Sequence, residues 1–274
     1  MTPLLEVEHL SVAFGGLRAV QDFNLALAAG DLQGLIGPNG AGKTTVFNLL
    51  TGVYRPDRGT VRLEGRTLTG LRPHQVAAAG IARTFQANRL FADLSVLDNV
   101  RIGCQLRSAR GLTATVFRSS TQVGAERRIR ARCEQLLEIF GLAERRDELA
   151  RNLPYGDQRR VEMARALATE PKVLLLDEPA AGMHPQEKLM LRELIRSVRR
   201  QFGVTILLIE HDMGVVMDIC ERITVLDYGV TIAAGTPQEI QNDPRVIAAY
   251  LGTAQAEETS GKSVGGDMAG SSVS

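Results

Sequence analysis

The sequence has few cysteines and no apolar run long enough to cross a membrane. No stretch of its 274 residues approaches the roughly 20 apolar residues of a membrane-spanning helix. Glu6, Glu8 and His9 interrupt the first ten residues, so we expect no secretory signal there. The three cysteines are far apart, without metal-site spacing, and their odd number leaves no complete set of disulfides. This scarcity is typical of a protein in a reducing cytosol, where each cysteine serves as a small core residue.

The chain also has no large excess of positive or of negative charge. Lysine and arginine number 32, and aspartate and glutamate number 31, which gives no indication of a surface for nucleic acid. Hydrophobic residues make up 44% of the chain and charged residues 23%, as in globular proteins. We therefore predict one large domain, or a core with a subdomain, and no nucleic-acid partner.

One glycine-rich segment carries the clearest functional signal. It matches the phosphate-binding pattern G-x-x-x-x-G-K-[ST] and runs through Gly37, Pro38, Asn39, Gly40, Ala41, Gly42, Lys43, Thr44 and Thr45. The glycines let the backbone curl so that its amide groups point at an anion. We expect Lys43 to contact the outer phosphates of a nucleotide and the Thr44 hydroxyl to bind Mg²⁺. The alternative is a turn that matches by chance, but the apolar run Leu32–Ile36 before it and the helical stretch Thr45–Leu50 after it favour a nucleotide site.

An acidic pair follows a second apolar run, Val173–Leu176, which we expect to be a buried parallel strand. Asp177, at the end of that strand, would hold Mg²⁺ through water while the metal bridges the outer phosphates. Glu178 would lie over the terminal phosphate and accept a proton from the attacking water. The alternative is a solvated turn in which Glu178 caps the next helix, and the presence of the phosphate loop argues against it.

Strand and helix patterns alternate on both sides of a middle section that lacks strand signals. Before it we predict strands at Leu4–Phe14, Phe23–Leu27, Leu32–Ile36, Thr60–Leu63 and Ile81–Phe85. A helix is predicted there at Pro73–Ala79. After it lie Val173–Leu176, Thr205–Ile209, Ile223–Leu226 and Val230–Ala234. Helical spacing predicts a mostly helical insertion over about residues 87–163, with surface helices on the same sheet as the alternative. Residues 253–274 are rich in Gly, Ser, Ala and Glu, and we expect a disordered tail there.

A third element lies between the two phosphate motifs. In Arg151–Leu167, a turn at Tyr155 and Gly156 opens a predicted helix whose first amide groups could face an anion. An ordinary capped helix is the default interpretation of this segment alone. It is not a second phosphate loop, because no Lys-Ser/Thr pair follows the glycine.

With these elements in this order, residues 4–252 resemble the ATP-binding subunit of an ABC transporter. The glycine-rich segment resembles the Walker A motif, and Val173–Glu178 resembles the Walker B motif with its catalytic glutamate. Phe14 matches the aromatic that stacks on adenine, Gln86 the Q-loop glutamine and His211 the switch histidine.

The resemblance implies an α/β fold with a P-loop NTPase core, which is a mixed, mainly parallel sheet with flanking helices and an antiparallel β subdomain, plus an inserted α-helical subdomain. The ABC ATP-binding domain would span residues 1–252. It also implies a second ABC ATPase subunit, identical or related, and two membrane permease subunits as partners. A periplasmic or extracellular solute-binding protein would take part indirectly, and the chain would lie peripherally on the cytoplasmic face of the bacterial inner membrane.

The same resemblance implies roles for single residues. Two subunits would close head to tail over two ATP molecules, with Gly156 of one chain facing the nucleotide held by Lys43 of the other. Glu178 would orient the lytic water, and His211 would hold the terminal phosphate and help to place that water. The ligands of Mg²⁺ would be Thr44, Gln86 and Asp177.

The family signature, at Leu153–Asp157, departs from the usual pattern. Pro154 stands at the signature serine, Tyr155 at a glycine and Asp157 at the glutamine, where it adds a negative charge near a phosphate. The loop after Glu178 also ends in His184, where many relatives have Asp. We expect Gly156 and the helix after it still to supply the anion site.

These departures point to a subfamily. The Y-G-x-Q-R-R type of signature, the segments Ala82–Gln86 and Ile209–Met213 and the final Ala-Ala-Tyr-Leu-Gly look like the ATPases of branched-chain amino acid importers. ATPases for urea or amide uptake or for lipopolysaccharide export are the alternatives, although the export ATPase typically keeps an S-G-G signature. An ABC ATPase acting on nucleic acid is the rival from another class, but it usually carries long heptad insertions or zinc-binding cysteines. A metabolic kinase with a phosphate loop would leave residues 153–160 unexplained.

Overall fold

The computed structural model describes residues 2–85, 89–108 and 120–251. Its strands are β1 (Leu5–Phe14), β2 (Leu17–Leu27), β3 (Leu32–Ile36), β4 (Arg58–Leu63), β5 (Arg66–Thr67), β6 (Ile81–Arg83), β7 (Val173–Asp177), β8 (Thr205–Ile209), β9 (Arg222–Asp227) and β10 (Val230–Gly235). Its α-helices are α1 (Lys43–Leu50), α2 (Pro73–Ala79), α3 (Val96–Ser108), α4 (Ser120–Ile139), α5 (Tyr155–Ala168), α6 (Pro185–Phe202), α7 (Met213–Ile219), α8 (Pro237–Gln241) and α9 (244–251). Single 3₁₀ turns lie at Ala143–Arg145 and Ala150–Asn152.

A six-stranded sheet forms the centre, in the order β10-β9-β3-β8-β7-β6, with only β10 antiparallel to its neighbour. The strands β3, β7 and β8 are buried at every residue, because both faces of the sheet are covered. Successive side chains of β7 enter different cores: Leu174 and Leu176 pack among the helices α3 to α7, and Val173 and Leu175 pack toward α1 and the second sheet. The mainly parallel sheet with flanking helices confirms the predicted fold class.

The second sheet is antiparallel, in the order β2-β1-β4-β5. Strand β2 begins at Leu17 and not at Phe23 as predicted. The register of β1 and β2 shifts near His9 and Asp22, which both have positive φ, and such bulges break the period-two pattern that marks a strand. The sequence analysis did not predict strand β5, because a strand of two residues is too short to show an alternation of apolar and polar side chains.

The middle section contains α3, α4 and α5, and α3 packs against both of the others. The expected boundary of a helical insertion at residue 163 falls inside α5, and the division into a core and an insertion stays a prediction. The three cysteines are buried, and none of them forms a disulfide. The expected tail, residues 253–274, lies outside the described residues. Among the helices described, none combines the length and apolar character that spanning a membrane requires.

Candidate functional site

The phosphate loop connects the end of β3 at Ile36 to the start of α1 at Lys43. Two of its glycines are required because there is no room for a Cβ and because their φ angles are positive. A Cβ at Gly37, where φ is 148°, would lie 2.0 Å from the Leu226 carbonyl oxygen. One at Gly42, where φ is 103°, would lie 2.5 Å from the Ala19 carbonyl oxygen. Strands β2 and β9 therefore hold the loop in its curled form, which only glycine can adopt at these positions.

Lys43 lies at the N-terminus of α1 and is 5% exposed. Its Nζ donates hydrogen bonds to the carbonyl oxygens of Gly37 and Pro38, at 2.7 and 2.8 Å, so the ammonium group closes the loop on itself. Burial lowers the pKa of Lys43, and the charges of Glu178 and Asp177 oppose this effect. A phosphate at the loop would supply the anion that this buried cation favours.

Of the other residues of the loop, some are buried and some are exposed to solvent. Pro38 and Ala41 are buried, and the Ala41 carbonyl oxygen accepts a hydrogen bond of 2.9 Å from the backbone of Gly229. Asn39, Gly40 and Thr44 are exposed, and Thr45 is half-buried. The Thr44 hydroxyl, in the first turn of α1, is thus accessible to a ligand.

Asp177 ends β7 and is 1% exposed. Its Oδ2 accepts a hydrogen bond of 2.7 Å from Arg83 Nη2. Its Oδ1 is also buried, and no group among the described residues donates a hydrogen bond to it. A buried carboxylate oxygen that accepts no hydrogen bond is suited to bind a cation. One carboxylate, from Asp177, and one hydroxyl, from Thr44, are the kind of ligand set that holds Mg²⁺ bound together with nucleotide phosphates. The described part of the chain contains no cluster of three or more metal-ligating side chains.

Arg83 is a site residue that the sequence analysis missed. Besides Asp177, it donates to Asn48 Oδ1 on α1 at 2.7 Å. Its guanidinium lies 5.4 Å from the ring centre of Phe47 and 5.3 Å from that of Phe85. Arg83 therefore joins β6, β7 and the helix of the phosphate loop, and its charge balances the buried Asp177.

Glu178 and His211 come together at the carboxyl ends of the neighbouring strands β7 and β8. Glu178 has a left-handed backbone, with φ of 49°, and its N–H donates to the Ile209 carbonyl oxygen at 2.8 Å. Its Oε1 lies 2.5 Å from His211 Nε2. The Glu178 side chain is 9% exposed and the His211 side chain 43% exposed, so the carboxylate is nearly buried and the imidazole is accessible to solvent. A carboxylate held by an imidazole in this position can accept a proton from water.

Gln86 lies outside the described residues, but the residue before it is firmly held. The Phe85 N–H donates to Glu162 Oε1 at 3.0 Å, and the Phe85 carbonyl oxygen accepts from Arg159 Nη1 at 2.6 Å. Arg159 and Glu162 are 3% and 2% exposed and pair with each other at 3.2 Å. Burial raises the pKa of Glu162, and its bonds to Phe85 and Arg159 oppose the rise. Two side chains of α5 thus clamp the chain beside Gln86, which the sequence analysis did not anticipate.

The start of α5 differs from the expectation for Asp157. That residue was expected to add a negative charge near a phosphate. Instead, its carboxylate is paired with Arg160 at 2.7 Å and with Arg145 at 3.3 Å, and it is 8% exposed. Tyr155 accepts hydrogen bonds at its hydroxyl from Arg159, at 2.7 and 3.0 Å. Two of the three side chains that depart from the signature, Tyr155 and Asp157, are therefore occupied by partners within the chain.

Pro154 and Gly156 lie at the beginning of α5. Pro154 is the N-cap, without a side-chain hydrogen bond to the helix. As the N-cap it lies outside the helix, so its missing N–H removes none of the first helical amides. Gly156 is buried against α6, where a Cβ would lie 2.9 Å from Glu187 Oε1. A side chain at position 156 would require the flexible Glu187 carboxylate to move.

Phe14 ends β1 and is 45% exposed. Its ring packs edge-to-face on Tyr54, with 5.1 Å between the ring centres and 65° between the planes. Tyr54 is 38% exposed and was not predicted to belong to the site. Two exposed aromatic rings in contact form a surface on which a purine can stack.

Comparisons with known proteins identify the family. The ABC transporter family model matches residues 20–181, and a model described as branched-chain amino acid ATP-binding cassette transporter matches residues 230–256. The chain is 48% identical over 252 residues to the high-affinity branched-chain amino acid transport ATP-binding protein LivG of Salmonella typhimurium, covering 92% of this chain and 99% of that protein. It is 38% identical over 252 residues to the lipopolysaccharide export system ATP-binding protein LptB of Acidithiobacillus ferridurans, covering 92% and 98%. The crystal structure of the ADP conformation of MJ1267, an ATP-binding cassette of an ABC transporter, is similar with a TM-score of 0.79 and 29% identity, covering 92% of this chain and 100% of that chain.

Proposed function

The chain belongs to the ABC transporter family of ATP-binding subunits and is an ATPase, and from this premise we propose that it powers an importer of branched-chain amino acids. The observation that carries the proposal is that four side chains lie together at the carboxyl end of the strands of the six-stranded sheet. They are Lys43, Asp177, Glu178 and His211. Parallel strands β3, β7 and β8 end side by side there, and ligands bind at the carboxyl ends of such strands.

The chain binds nucleotide, and the geometry supports a division of labour in ATP hydrolysis. The curled amides of the loop and Lys43 would hold the β- and γ-phosphates, and Phe14 with Tyr54 would stack on adenine. Thr44 and Asp177, with Gln86, would hold Mg²⁺, which neutralises charge on the outer phosphates when bound. Glu178 would take the proton from the attacking water while His211 keeps its carboxylate oriented. This is catalysis by positioning and electrostatic stabilisation, without a covalent intermediate.

The catalytic unit would comprise two ATPase subunits. Gly156 and the free amides at the start of α5 would face the γ-phosphate bound by the other subunit. Two permease subunits would dock near Gln86 and the helices α3 and α4, and a solute-binding protein would deliver the cargo. The subunit would then lie on the cytoplasmic face of the inner membrane.

The cargo is inferred from the similarity to LivG over most of the chain and from a separate match at residues 230–256. LivG is a branched-chain amino acid transport protein, and the C-terminal match, residues 230–256, carries the same description. Lipopolysaccharide export is the second candidate, supported by the 38% identity to LptB. The higher identity to LivG and the separate C-terminal match favour import.

Reconstitution tests the proposal directly. The chain should be co-purified with the permease subunits encoded near its gene, placed in proteoliposomes and supplied with the solute-binding protein. We expect leucine, isoleucine or valine to stimulate ATP hydrolysis and to enter the vesicles, whereas urea should do neither. Stimulation by urea or lipopolysaccharide, and not by these amino acids, would refute the cargo while leaving the ATPase assignment intact.

A further inference from the structure

Glu210 is a buried carboxylate for which neither the sequence motifs nor the site described above provides a role. It follows β8, directly before His211, and is 2% exposed. Most glutamates lie at the surface, and those that are fully buried are usually paired. Its burial therefore requires an explanation.

Both oxygens of Glu210 accept hydrogen bonds from the backbone, and they do so from two different loops. Oε1 accepts from the Ala180 N–H, at 2.6 Å, in the loop that begins at Glu178. Oε2 accepts from the N–H groups of His211 and Asp212, at 3.1 and 3.4 Å, in the loop after β8. One carboxylate therefore ties together the two loops that carry Glu178 and His211.

The charge of Glu210 is not balanced by a cation nearby. Within the described residues, no Lys, Arg or His side chain forms an ion pair with it. Burial raises the pKa of Glu210, and the charge of Glu178 adds to the rise against the backbone hydrogen bonds. An anion in this place costs folding free energy, which a neutral residue would avoid in a purely structural role.

We propose that Glu210 is a positioning residue for ATP hydrolysis, holding the Glu178 carboxylate and the His211 imidazole at their observed contact of 2.5 Å. The path on each side is short, because Ala180 is two residues from Glu178 and His211 adjoins Glu210. Displacement of either loop would separate the proton acceptor from the imidazole that orients it. The inference rests on the proposed roles of Glu178 and His211.

Glutamine at this position provides a sharp test. It has the shape of glutamate, but only one of its two terminal atoms can accept a hydrogen bond. Whichever way the amide turns, its NH₂ group faces a backbone N–H of one loop, and the tie between the loops is broken. The phosphate loop makes no hydrogen bond to Glu210, so nucleotide affinity should be unaffected.

The experiment compares the wild type, Glu210→Gln, His211→Ala, the double variant and the control Glu193→Gln in the reconstituted complex. Glu193 lies on α6 with a side chain that is 67% exposed. We expect Glu210→Gln to lower kcat about 10- to 100-fold, since small displacements of catalytic groups have effects of this size. Its Kd for a fluorescent ATP analogue should stay within about twofold of the wild type, and the double variant should match His211→Ala in kcat. Glu193→Gln should behave as the wild type.

The outcomes distinguish this inference from the function on which it rests. If His211→Ala is impaired and Glu210→Gln has normal kcat, only the role of Glu210 is refuted. The role of Glu210 is also refuted if adding Glu210→Gln to His211→Ala lowers kcat by the same factor as Glu210→Gln alone. In that case the effect of Glu210 on kcat would not pass through His211. If His211→Ala is itself normal, both roles fall. Should Glu210→Gln not fold, Glu210→Asp replaces it, since the shorter acid keeps the charge but cannot reach both loops, and a normal kcat for it refutes the role.

Discussion

The two helix N-termini proposed to face phosphate, those of α1 and α5, are built in opposite ways. At α1 the chain provides a full set of groups: a glycine loop, the buried cation of Lys43 and the carboxylates of Asp177 and Glu178. At α5 it offers backbone amides alone, because the charged side chains nearby are already paired within the chain. Asp157 is paired with two arginines, and Arg159 is held by Tyr155, Glu162 and Phe85.

The difference shows which of the two can bind by itself. The site at α1 combines hydrogen-bond donors with charge, so one chain is sufficient for nucleotide affinity. The start of α5 has a dipole and free amides without a cation, and a dipole alone contributes little. It can act on a nucleotide only when that nucleotide is already held by another polypeptide. We expect substitutions at α1 to affect binding or chemistry strongly and those at α5 to act weakly.

The largest expected effect is that of Glu178→Gln. Loss of the proton acceptor should lower kcat about 100-fold or more, because general-base catalysis contributes factors of this order. ATP affinity should persist, since the loop and Lys43 are unchanged. ATPase assays of the complex and analogue binding would measure both, with Glu221→Gln as a control for loss of a surface carboxylate. Normal turnover in Glu178→Gln would show that another group accepts the proton.

Next in size is Lys43→Ala, which tests whether α1 binds by itself. Charge-assisted hydrogen bonds contribute a few kcal/mol, so we expect Kd for a fluorescent ATP analogue to rise about 10- to 100-fold in the isolated subunit. Lys172→Ala, which removes a half-exposed lysine paired with Glu64, is the matched control and should leave Kd unchanged. Equal affinities of Lys43→Ala and the wild type would remove the basis of the comparison.

The smallest effect should follow Asp157→Asn at α5. The carboxylate neutralises Arg145 and Arg160, which are partly exposed, so its loss should lower the free energy of unfolding by roughly 1 to 2 kcal/mol in urea titrations. Turnover should change little, because two arginines already neutralise this charge. Asp147→Asn, which alters an exposed pair with Arg146, should be neutral. A rise in kcat of tenfold or more for Asp157→Asn would mean that the charge does oppose phosphate binding.

The phosphate loop and the acidic pair could be predicted because their chemistry is local. Gly37 to Thr45 contain the turn, the cation and the helix start within nine consecutive residues. Asp177 and Glu178 follow an apolar strand that is recognisable by itself. The predicted strands of the central sheet were also correct in place, since strands buried on both faces appear as continuous apolar runs.

The supporting residues could not be predicted because their partners are distant along the chain. Arg83 and Asp177 are 94 positions apart, and Arg159 and Phe85 are 74 apart. Tyr54 lies in an ordinary turn by composition, and nothing in the segment Ala82–Gln86 indicates a partner for Arg83. Asp157 pairs with Arg160 three residues along the same helix, but its second partner, Arg145, comes from the 3₁₀ turn before α5.

The sequence by itself determined the phosphate-loop pattern, the lysine within it and the two carboxylates that follow the strand, since each depends on a few adjacent residues. Only the tertiary structure decided that Arg145 pairs with Asp157, that Arg83 balances Asp177 and that Glu210 joins the loops of Glu178 and His211. The physical reason is that a buried charge acts through whatever lies within a few ångströms of it. Those neighbours are set by how strands and helices pack, and not by their order along the chain.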